Sequence, residues 1–289
     1  MARGRGKTLK ELLGDVLTAE ELALLPRSYD IIGDIAMIKL PEELMSKARL
    51  VGEALKRLHP FLRSVVTPVE KTSEVYRVRK VKVVWGDENT ETVHKEHGCL
   101  FKVDLNKVFF NPRLSHERLR IAKQVRPGEV VLNCFAGVGT ASIIIARVQP
   151  RVKVVYSVDI NPDAYRYMVE NIRLNKVEDK VVPILGDVRE VVRDKLEGVA
   201  DRVIMLLPAY ARDFLDVAVK SLKPSGGVIH YYDEVGGRGL KKQDLLNLAL
   251  KRALEVLASF GKEVKVLGGR VVRAVRPFTY HVALDLYVS

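Results

Sequence analysis

The sequence is poor in several things at once. It has 2 cysteines, Cys99 and Cys134, in 289 residues. Two thiols build neither a disulfide framework nor a four-thiolate zinc site. The six histidines are His59, His94, His97, His116, His230 and His281, and none shows metal-ligand spacing. No uncharged apolar run reaches 18 residues, so no transmembrane helix is expected. The basic start Met1-Ala2-Arg3-Gly4-Arg5-Gly6-Lys7 is followed by no long apolar stretch, which argues against a secretory signal. No G-x-x-x-x-G-K-[ST] loop is present, which disfavours an ATPase. A metal-free, cytoplasmic protein that does not touch membranes is therefore expected.

What is present is a globular composition with an excess of positive charge. Apolar residues make up 47% and charged residues 29%, enough for a real core. Lys and Arg total 48 against 36 Asp and Glu, giving +12. Such an excess suits a polyanionic partner, because each cation near a phosphate releases a counterion. The cations concentrate in two stretches. Residues 107–126 hold Lys107, Arg113, Arg118, Arg120, Lys123 and Arg126, and residues 76–82 hold Arg77, Arg79, Lys80 and Lys82. Arg270, Arg273 and Arg276 add to them near the end.

Periodicity divides the chain. Leu9, Leu12, Leu13 and Val16 predict a helical arm over residues 1–24. Residues 25–106 read as a small α+β domain. Its strands are expected at 31–40, 65–69, 76–84, 92–94 and 99–105. Pro41 opens a helix, and Gly86-Asp87-Glu88-Asn89 forms a hairpin turn that continues the sheet. From residue 107 strands and helices alternate. Strands are expected at 130–135, 154–159, 181–185, 202–207 and 228–232. Helices are expected at 115–125, 140–147, 162–174, 209–221 and 241–260. This pattern predicts an α/β, Rossmann-like parallel sheet covered on both faces. Two last strands, 264–275 and 280–288, have no helix between them and fit an antiparallel hairpin at the sheet edge.

The sharpest motif is Asn133-Cys134-Phe135-Ala136-Gly137-Val138-Gly139-Thr140, a strand, a glycine turn and a helix start. G-x-G alone also describes an ordinary tight turn. Two further strand ends give it meaning. Val158-Asp159-Ile160-Asn161-Pro162 places an acid where it can hold ribose hydroxyls. Gly186-Asp187-Val188 places one where it can accept from an adenine amino group. Glycine turn, ribose acid and adenine acid on three successive strand ends predict adenosine binding.

These motifs, with Gly226-Gly227-Val228-Ile229-His230-Tyr231-Tyr232, resemble class I S-adenosylmethionine-dependent methyltransferases. More narrowly, they resemble the archaeal and eukaryotic tRNA (guanine-37 N1)-methyltransferases and their wyosine-synthesis relatives. Residues 26–36, beginning Pro26-Arg27-Ser28-Tyr29-Asp30, and residues 108–118, Val108 to Arg118, are similar to the same family. The likeness spans residues 25–289. It implies S-adenosylmethionine as cofactor and the anticodon loop of tRNA as partner. It also implies that an extra N-terminal domain of longer members, which grips the tRNA elbow, is missing here. Nothing in the sequence fixes the oligomeric state, and a monomer is the simpler expectation.

The resemblance assigns roles residue by residue. Glu117 is the expected general base for the guanine N1 proton, with Arg118 beside it. Arg77 is expected to support charge developing on the base. Read without the family, Glu117 is a helix-face carboxylate that could pair with Arg113 or Arg120. Cofactor contacts are expected from Arg113, Asn133, Phe135, Ala136, Gly137, Gly139, Asp159, Ile160, Asn161, Gly186, Asp187 and Val188. Leu206, Leu207 and Pro208 are expected to line the substrate pocket. Two positions depart from the family pattern. Asn133 stands where an aspartate is usual. Leu206 stands where Asn-Leu-Pro is typical, and leucine cannot hydrogen-bond a guanine. A larger, less polar tricyclic derivative would suit Leu206. Asn111-Pro112-Arg113 and Pro208 differ from the pathway's aminocarboxypropyl transferases, whereas Ala164-Tyr165-Arg166-Tyr167 and Tyr280-His281-Val282 lean toward them. Methyl transfer is thus the leading expectation, with aminocarboxypropyl transfer and a non-catalytic tRNA-binding homologue as alternatives.

Overall fold

The computed structural model describes residues 8–69 and 76–289. The chain divides into two compact units, Met1–Leu114 and Ser115–Ser289.

In the first unit, α1 (Leu9–Leu13) and α2 (Ala19–Leu24) each begin with a capping box, built on Thr8 with Glu11 and on Thr18 with Glu21. Each satisfies two otherwise orphaned backbone groups, which lets such short helices form. The arm is not a separate domain. Leu9, Leu13, Leu17 and Leu25 are buried in one core with Ile38, Leu44, Val51, Leu55 and Val65. The strand expected at 31–40 is a hairpin instead, β1 (Asp30–Ile32) and β2 (Ile35–Met37). Gly33 has φ +57° at its turn, and a Cβ there would sit 2.1 Å from Thr92 Oγ1. The predicted helix after Pro41 starts as a 3-10 turn, Glu42–Lys47, and continues as α3 (Ala48–Leu58).

β3 (Ser64–Pro68) and β4 (Val81–Gly86) complete a four-stranded sheet in the order β1-β2-β3-β4. Among the described residues, β5 (Glu91–Glu96) and β6 (Cys99–Asp104) form a separate two-stranded sheet. Gly86-Asp87-Glu88-Asn89 therefore links two sheets rather than forming a hairpin. Arg63 explains the break: its guanidinium donates to Asp34, Asp87 and the carbonyls of Asn89 and Glu91, tying the link down with side-chain bonds. Residues 70–75 of the expected strand neighbourhood lie outside the described residues. Residues 76–80 are not strand, and Arg77 has φ +58°. The unit also runs past the boundary expected at 106/107. Phe110 packs edge-on against His94 at 5.0 Å, and Arg113 Nε donates to Asp30 at 2.6 Å.

The second unit opens with α4 (Ser115–Ala122). Then β7 (Val130–Asn133), α5 (Thr140–Val148), β8 (Val154–Asp159), α6 (Pro162–Leu174) and β9 (Val181–Leu185) alternate. α7 (Val188–Val191), which runs into a π-turn at Val192–Leu196, precedes β10 (Arg202–Met205). α8 (Leu215–Ser221), β11 (Gly227–Gly236) and α9 (Lys242–Leu257) follow, and β12 (Val264–Arg276) and β13 (Thr279–Val288) end the unit. The sheet order is β12-β13-β11-β10-β7-β8-β9. The five strands from β11 to β9 are parallel, and the last two join as an antiparallel hairpin at the edge. This is the Rossmann-like arrangement the alternation predicts. The sequence reading missed α7, whose single turn is too short to show periodicity.

One face of β11 and β13 is apolar. Ile229, Tyr231, Leu284 and Leu286 pack with Leu245, Ala249 and Ala253 of α9. The opposite face carries His230, Tyr232 and Asp285, all buried. Strand alternation separates the two sets, and the polar one faces α4.

Candidate functional site

The glycine turn lies at the carboxyl end of β7. Gly137 and Gly139 both have left-handed φ, +56° and +84°. A Cβ on Gly139 would meet Met168 Cγ at 3.0 Å and Ile143 Cδ1 at 3.3 Å. Glycine is needed there for both conformation and space. Gly137 N–H donates to Asp159 Oδ2 at 2.6 Å, and Asn161 N–H donates to Oδ1 at 3.0 Å. Burial nonetheless pushes the Asp159 carboxyl above its ordinary pKa, outweighing these bonds. Asn161 caps α6 by accepting from Asp163 N–H, and Ile160 is exposed beside it.

Gly186 N–H donates to Asp159 C=O at 3.0 Å, which brings the third strand end against the second. Asp187 caps α7, with Val188 buried behind it. Arg189 stacks its guanidinium over Phe214 at 3.7 Å, and Phe214 meets Phe135 edge-on at 5.0 Å. Leu206, Leu207 and Pro208 continue past β10, half-buried, with Pro208 C=O accepting from Glu234 N–H at 3.1 Å. Buried Ala136 completes the turn, its N–H donating to Val158 C=O.

Asn133 is fully buried and faces inward. Its amide nitrogen donates to Ser142 Oγ at 3.0 Å, and Ser142 also accepts from Ser157. Asn133 Oδ1 has no hydrogen-bond partner among the described residues. A buried acceptor left open at the end of the first strand is a place for a ligand donor or a water to bind. Together with the left-handed glycines and Asp159, it fits the polar groups of an adenosine-type cofactor.

Glu117 is 2% exposed at the start of α4. Its Oε2 accepts from Tyr232 Oη at 2.6 Å and from Arg120 Nε at 3.0 Å. Its Oε1 pairs with Arg270 Nε at 3.1 Å. A carboxylate offers about four acceptor positions. Three are filled, so one remains on Oε1. Arg270 comes from edge strand β12, and its side chain is 45% exposed. It is the only one of the three donors that reaches solvent to this extent. The Arg120 pairing foreseen for an ordinary helix-face carboxylate is present.

The network extends along the sheet. Arg120 also donates to Asp285 and, at 3.3 Å, to the Tyr232 oxygen. Asp285 accepts from Gln124 at 3.1 Å and from His230 Nδ1 at 2.6 Å. Arg202 donates to His230 Nε2 at 2.8 Å and forms a two-toothed pair with Glu129. Arginine can only donate, so His230 Nε2 must accept. This fixes a neutral ring with its proton on Nδ1. Burial pushes His230 below its ordinary pKa, in the same sense. Burial opposes the charge on Asp285, but His230 and Arg120 hold its carboxyl below the usual range.

The expected site residues therefore fall into two groups. Glu117, Arg118, Asn133 to Gly139, Asp159 to Asn161, Gly186 to Val188 and Leu206 to Pro208 all lie in the second unit. Arg77 and Arg113 belong to the first, where Arg113 is engaged by Asp30. Arg118 is buried on α4. Arg120, Asp285 and Arg270 were not assigned to the site from sequence. The alternation His230, Tyr232 on β11 was the available signal, because a polar residue recurring on a buried strand face needs partners.

Known proteins match this arrangement. Residues 92–266 match the TRM5/TYW2 methyltransferase domain family, and residues 9–90 match the TYW2 N-terminal domain family. The chain is 44% identical to tRNA (guanine(37)-N(1))-methyltransferase Trm5b of Pyrococcus abyssi, over 92% of this chain and 76% of that one. It is 37% identical to tRNA 4-demethylwyosine(37)-methyltransferase Taw21 of Saccharolobus solfataricus, over 90% and 93%. It is 35% identical to a tRNA(Phe) (4-demethylwyosine(37)-C(7)) aminocarboxypropyltransferase of Methanocaldococcus jannaschii, over 89% and 96%.

Among solved structures, Pyrococcus abyssi Trm5b superposes with a TM-score of 0.86 at 42% identity, covering 100% of this chain and 82% of that one. The complex of aTrm5 with tRNALeu gives 0.84 at 34% identity, covering 98% and 78%. Methanocaldococcus jannaschii TYW2 with AdoMet gives 0.68 at 30% identity, covering 91% and 99%. The glycine turn, the strand-end acids and these matches agree, and the chain belongs to the TRM5/TYW2 methyltransferase family.

Proposed function

We propose that this chain is an S-adenosylmethionine-dependent tRNA methyltransferase that modifies the purine at position 37. The observation that carries the reading is the 44% identity to a guanine-37 N1-methyltransferase across 92% of the chain. The +12 charge suits a tRNA partner.

Gly137, Gly139 and Asp159 would hold the adenosine part of the cofactor, with Asp187 near the adenine and Asn133 offering its open acceptor. Bound there, the cofactor supplies an electrophilic methyl group. The chain's own work is to align the acceptor and manage its proton. Guanine N1 carries a proton at neutral pH, so a base must take it. Glu117 has one acceptor position left on Oε1, and Tyr232 and Arg120 hold its other oxygen in place. Arg270, beside Oε1, is the cation best placed within the second unit to stabilise charge developing on the purine.

A second reading concerns the acceptor. Leu206 offers no hydrogen bond to guanine, and this favours a tricyclic guanine derivative at the same position. Mass spectrometry of position 37 after incubation with tRNA and cofactor separates the readings. A methyl group on guanine or on the tricycle supports methyl transfer and names the acceptor. An aminocarboxypropyl group, or no product, overturns it.

A further inference from the structure

Two buried carboxylates of the second unit, Glu117 and Asp285, share one arginine unequally. Asp285 on β13 takes both terminal nitrogens of Arg120: Nη1 donates to Oδ2, and Nη2 donates to Oδ1 at 3.1 Å. His230 Nδ1 and Gln124 Nε2 also donate to it, at 2.6 Å and 3.1 Å. Four bonds fill the acceptor positions that a carboxylate has. Glu117 on α4 receives only Nε of the same guanidinium, on Oε2 at 3.0 Å. Tyr232 Oη completes Oε2, and Arg270 takes one position on Oε1. Among the described residues, then, one buried carboxylate is saturated and the other is one bond short, on Oε1.

Asp285 is held from behind. Arg202 donates to His230 Nε2 at 2.8 Å and is itself pinned by Glu129, so the His230 ring keeps its proton on Nδ1 and gives it to Asp285. Arg120 leaves Asp285 only by breaking two charge-assisted bonds. That matters because an arginine fork beside a carboxylate favours a two-toothed pair, with one nitrogen on each oxygen. Released from Asp285, the fork of Arg120 could turn onto Glu117 and close the open position on Oε1. Stability alone gives no reason for this arrangement. Apolar residues of similar volume often replace a buried ion pair without loss, and no fold needs a buried carboxylate left one bond short.

We propose that Asp285 is a positioning residue for the base. By claiming both terminal nitrogens of Arg120 it keeps that arginine off Glu117 Oε1, the oxygen that takes the proton from the purine nitrogen as the nitrogen accepts the methyl group. The proposal rests on the reading of the chain as a methyltransferase with Glu117 as its base.

A double-mutant cycle on the full chain tests it, using single-turnover rates on guanine-37 tRNA at saturating S-adenosylmethionine. Asp285→Asn keeps the shape and gives up the charge that holds Arg120. It should lower the rate about 10- to 100-fold, with S-adenosylmethionine affinity by calorimetry and tRNA affinity by anisotropy at the parent values. Arg120→Lys keeps the cation and loses the fork. It should lower the rate in the same way, and it carries the test if Asp285→Asn does not fold. Circular dichroism confirms that each variant is folded at the assay temperature. In a Glu117→Gln background neither change should lower the rate further, because an effect exerted through Glu117 disappears with it. An equal fold-loss in both backgrounds marks a purely structural contribution and overturns the proposal. So does a folded Asp285→Asn chain with the parent rate, while the enzyme reading stands on its product. Glu117→Gln at the parent rate removes the base, and this proposal with it. A parent chain that modifies no tRNA overturns the enzyme reading first.

Discussion

The Tyr232 hydroxyl donates to Glu117 Oε2 at 2.6 Å, and both side chains are buried. Burial, and then the neighbouring Glu117 charge, push the Tyr232 hydroxyl above its ordinary pKa, so it stays a donor at any working pH. Glu117 thus faces two arginines and one permanent donor. Its geometry is set before any substrate arrives, which is what a positioned base requires.

Tyr232→Phe removes one hydrogen bond to a buried charge and leaves the ring. Such a loss costs about 1–3 kcal/mol of stability. If Glu117 is the base, the single-turnover rate should also fall, with cofactor affinity unchanged. Glu117→Gln should lower that rate by about 10²- to 10⁴-fold. Thermal melts and single-turnover assays on both variants separate the two effects. A stable Glu117→Gln chain with the parent rate would remove Glu117 from the chemistry.

Asp159 binds two backbone N–H groups and still keeps a raised proton affinity, because it is buried. A ligand's hydroxyl donors would add to its solvation. Asp159→Ala should weaken S-adenosylmethionine binding by roughly 10- to 150-fold, the equivalent of a charge-assisted bond of about 1.5–3 kcal/mol. Calorimetry checks this, and unchanged affinity in a folded variant places the ribose elsewhere.

The His230–Asp285 pair makes the second unit acid-sensitive. His230 is neutral when folded, with its pKa lowered, so the unfolded chain binds more protons. Its contribution is present above the unfolded value of about 6.5 and is lost as pH falls below it. Asp285 is also lowered, so its contribution fades as pH falls below about 4. Asp159 and Asp233, both raised by burial, act in the opposite sense. Melting temperature should therefore drop from pH 7 to pH 5, and drop further below pH 4. Asp285→Asn should melt lower at pH 7, by the about 3–5 kcal/mol typical of a broken buried pair, and respond less to pH below 4. A parent curve flat from pH 7 to 3 refutes the assignment.

Much of this was legible before any coordinates. Strands 154–159 and 181–185 and the helix at 162–174 match residue for residue, because long periodic segments bounded by Pro162, Gly186 and Asn175 leave little choice. The cofactor edge followed from three strand ends. The first unit was harder. Gly33 breaks a continuous apolar run that reads as one strand, and Arg63 stitches together a link that reads as a hairpin. Both depend on side chains far apart in sequence. So does the polar face of β11: a pattern shows that His230 and Tyr232 share a face, but only the fold brings Asp285, Arg120 and Glu117 to them.

Leu206 gives the sharpest test of the acceptor. It follows directly after β10, at the same sheet edge as the glycine turn that follows the parallel neighbour β7. Its side chain is apolar and half-buried, and Leu207 N–H there bonds back to Met205 C=O, which holds the segment in a tight bend. An asparagine at this position could donate and accept toward a guanine edge, and its volume is similar to that of leucine. Each hydrogen bond gained to a purine edge is worth about 0.5–1.5 kcal/mol. Leu206→Asn should then raise kcat/KM on guanine-37 tRNA by roughly 2- to 12-fold. A tricyclic substrate that packs on the leucine should lose apolar contact in the same variant. The ratio of the two kcat/KM values should move toward guanine, and position-37 mass spectrometry reads both products in one competition. If the ratio stays fixed, Leu206 does not face the base, and the acceptor must be decided by other groups in the pocket.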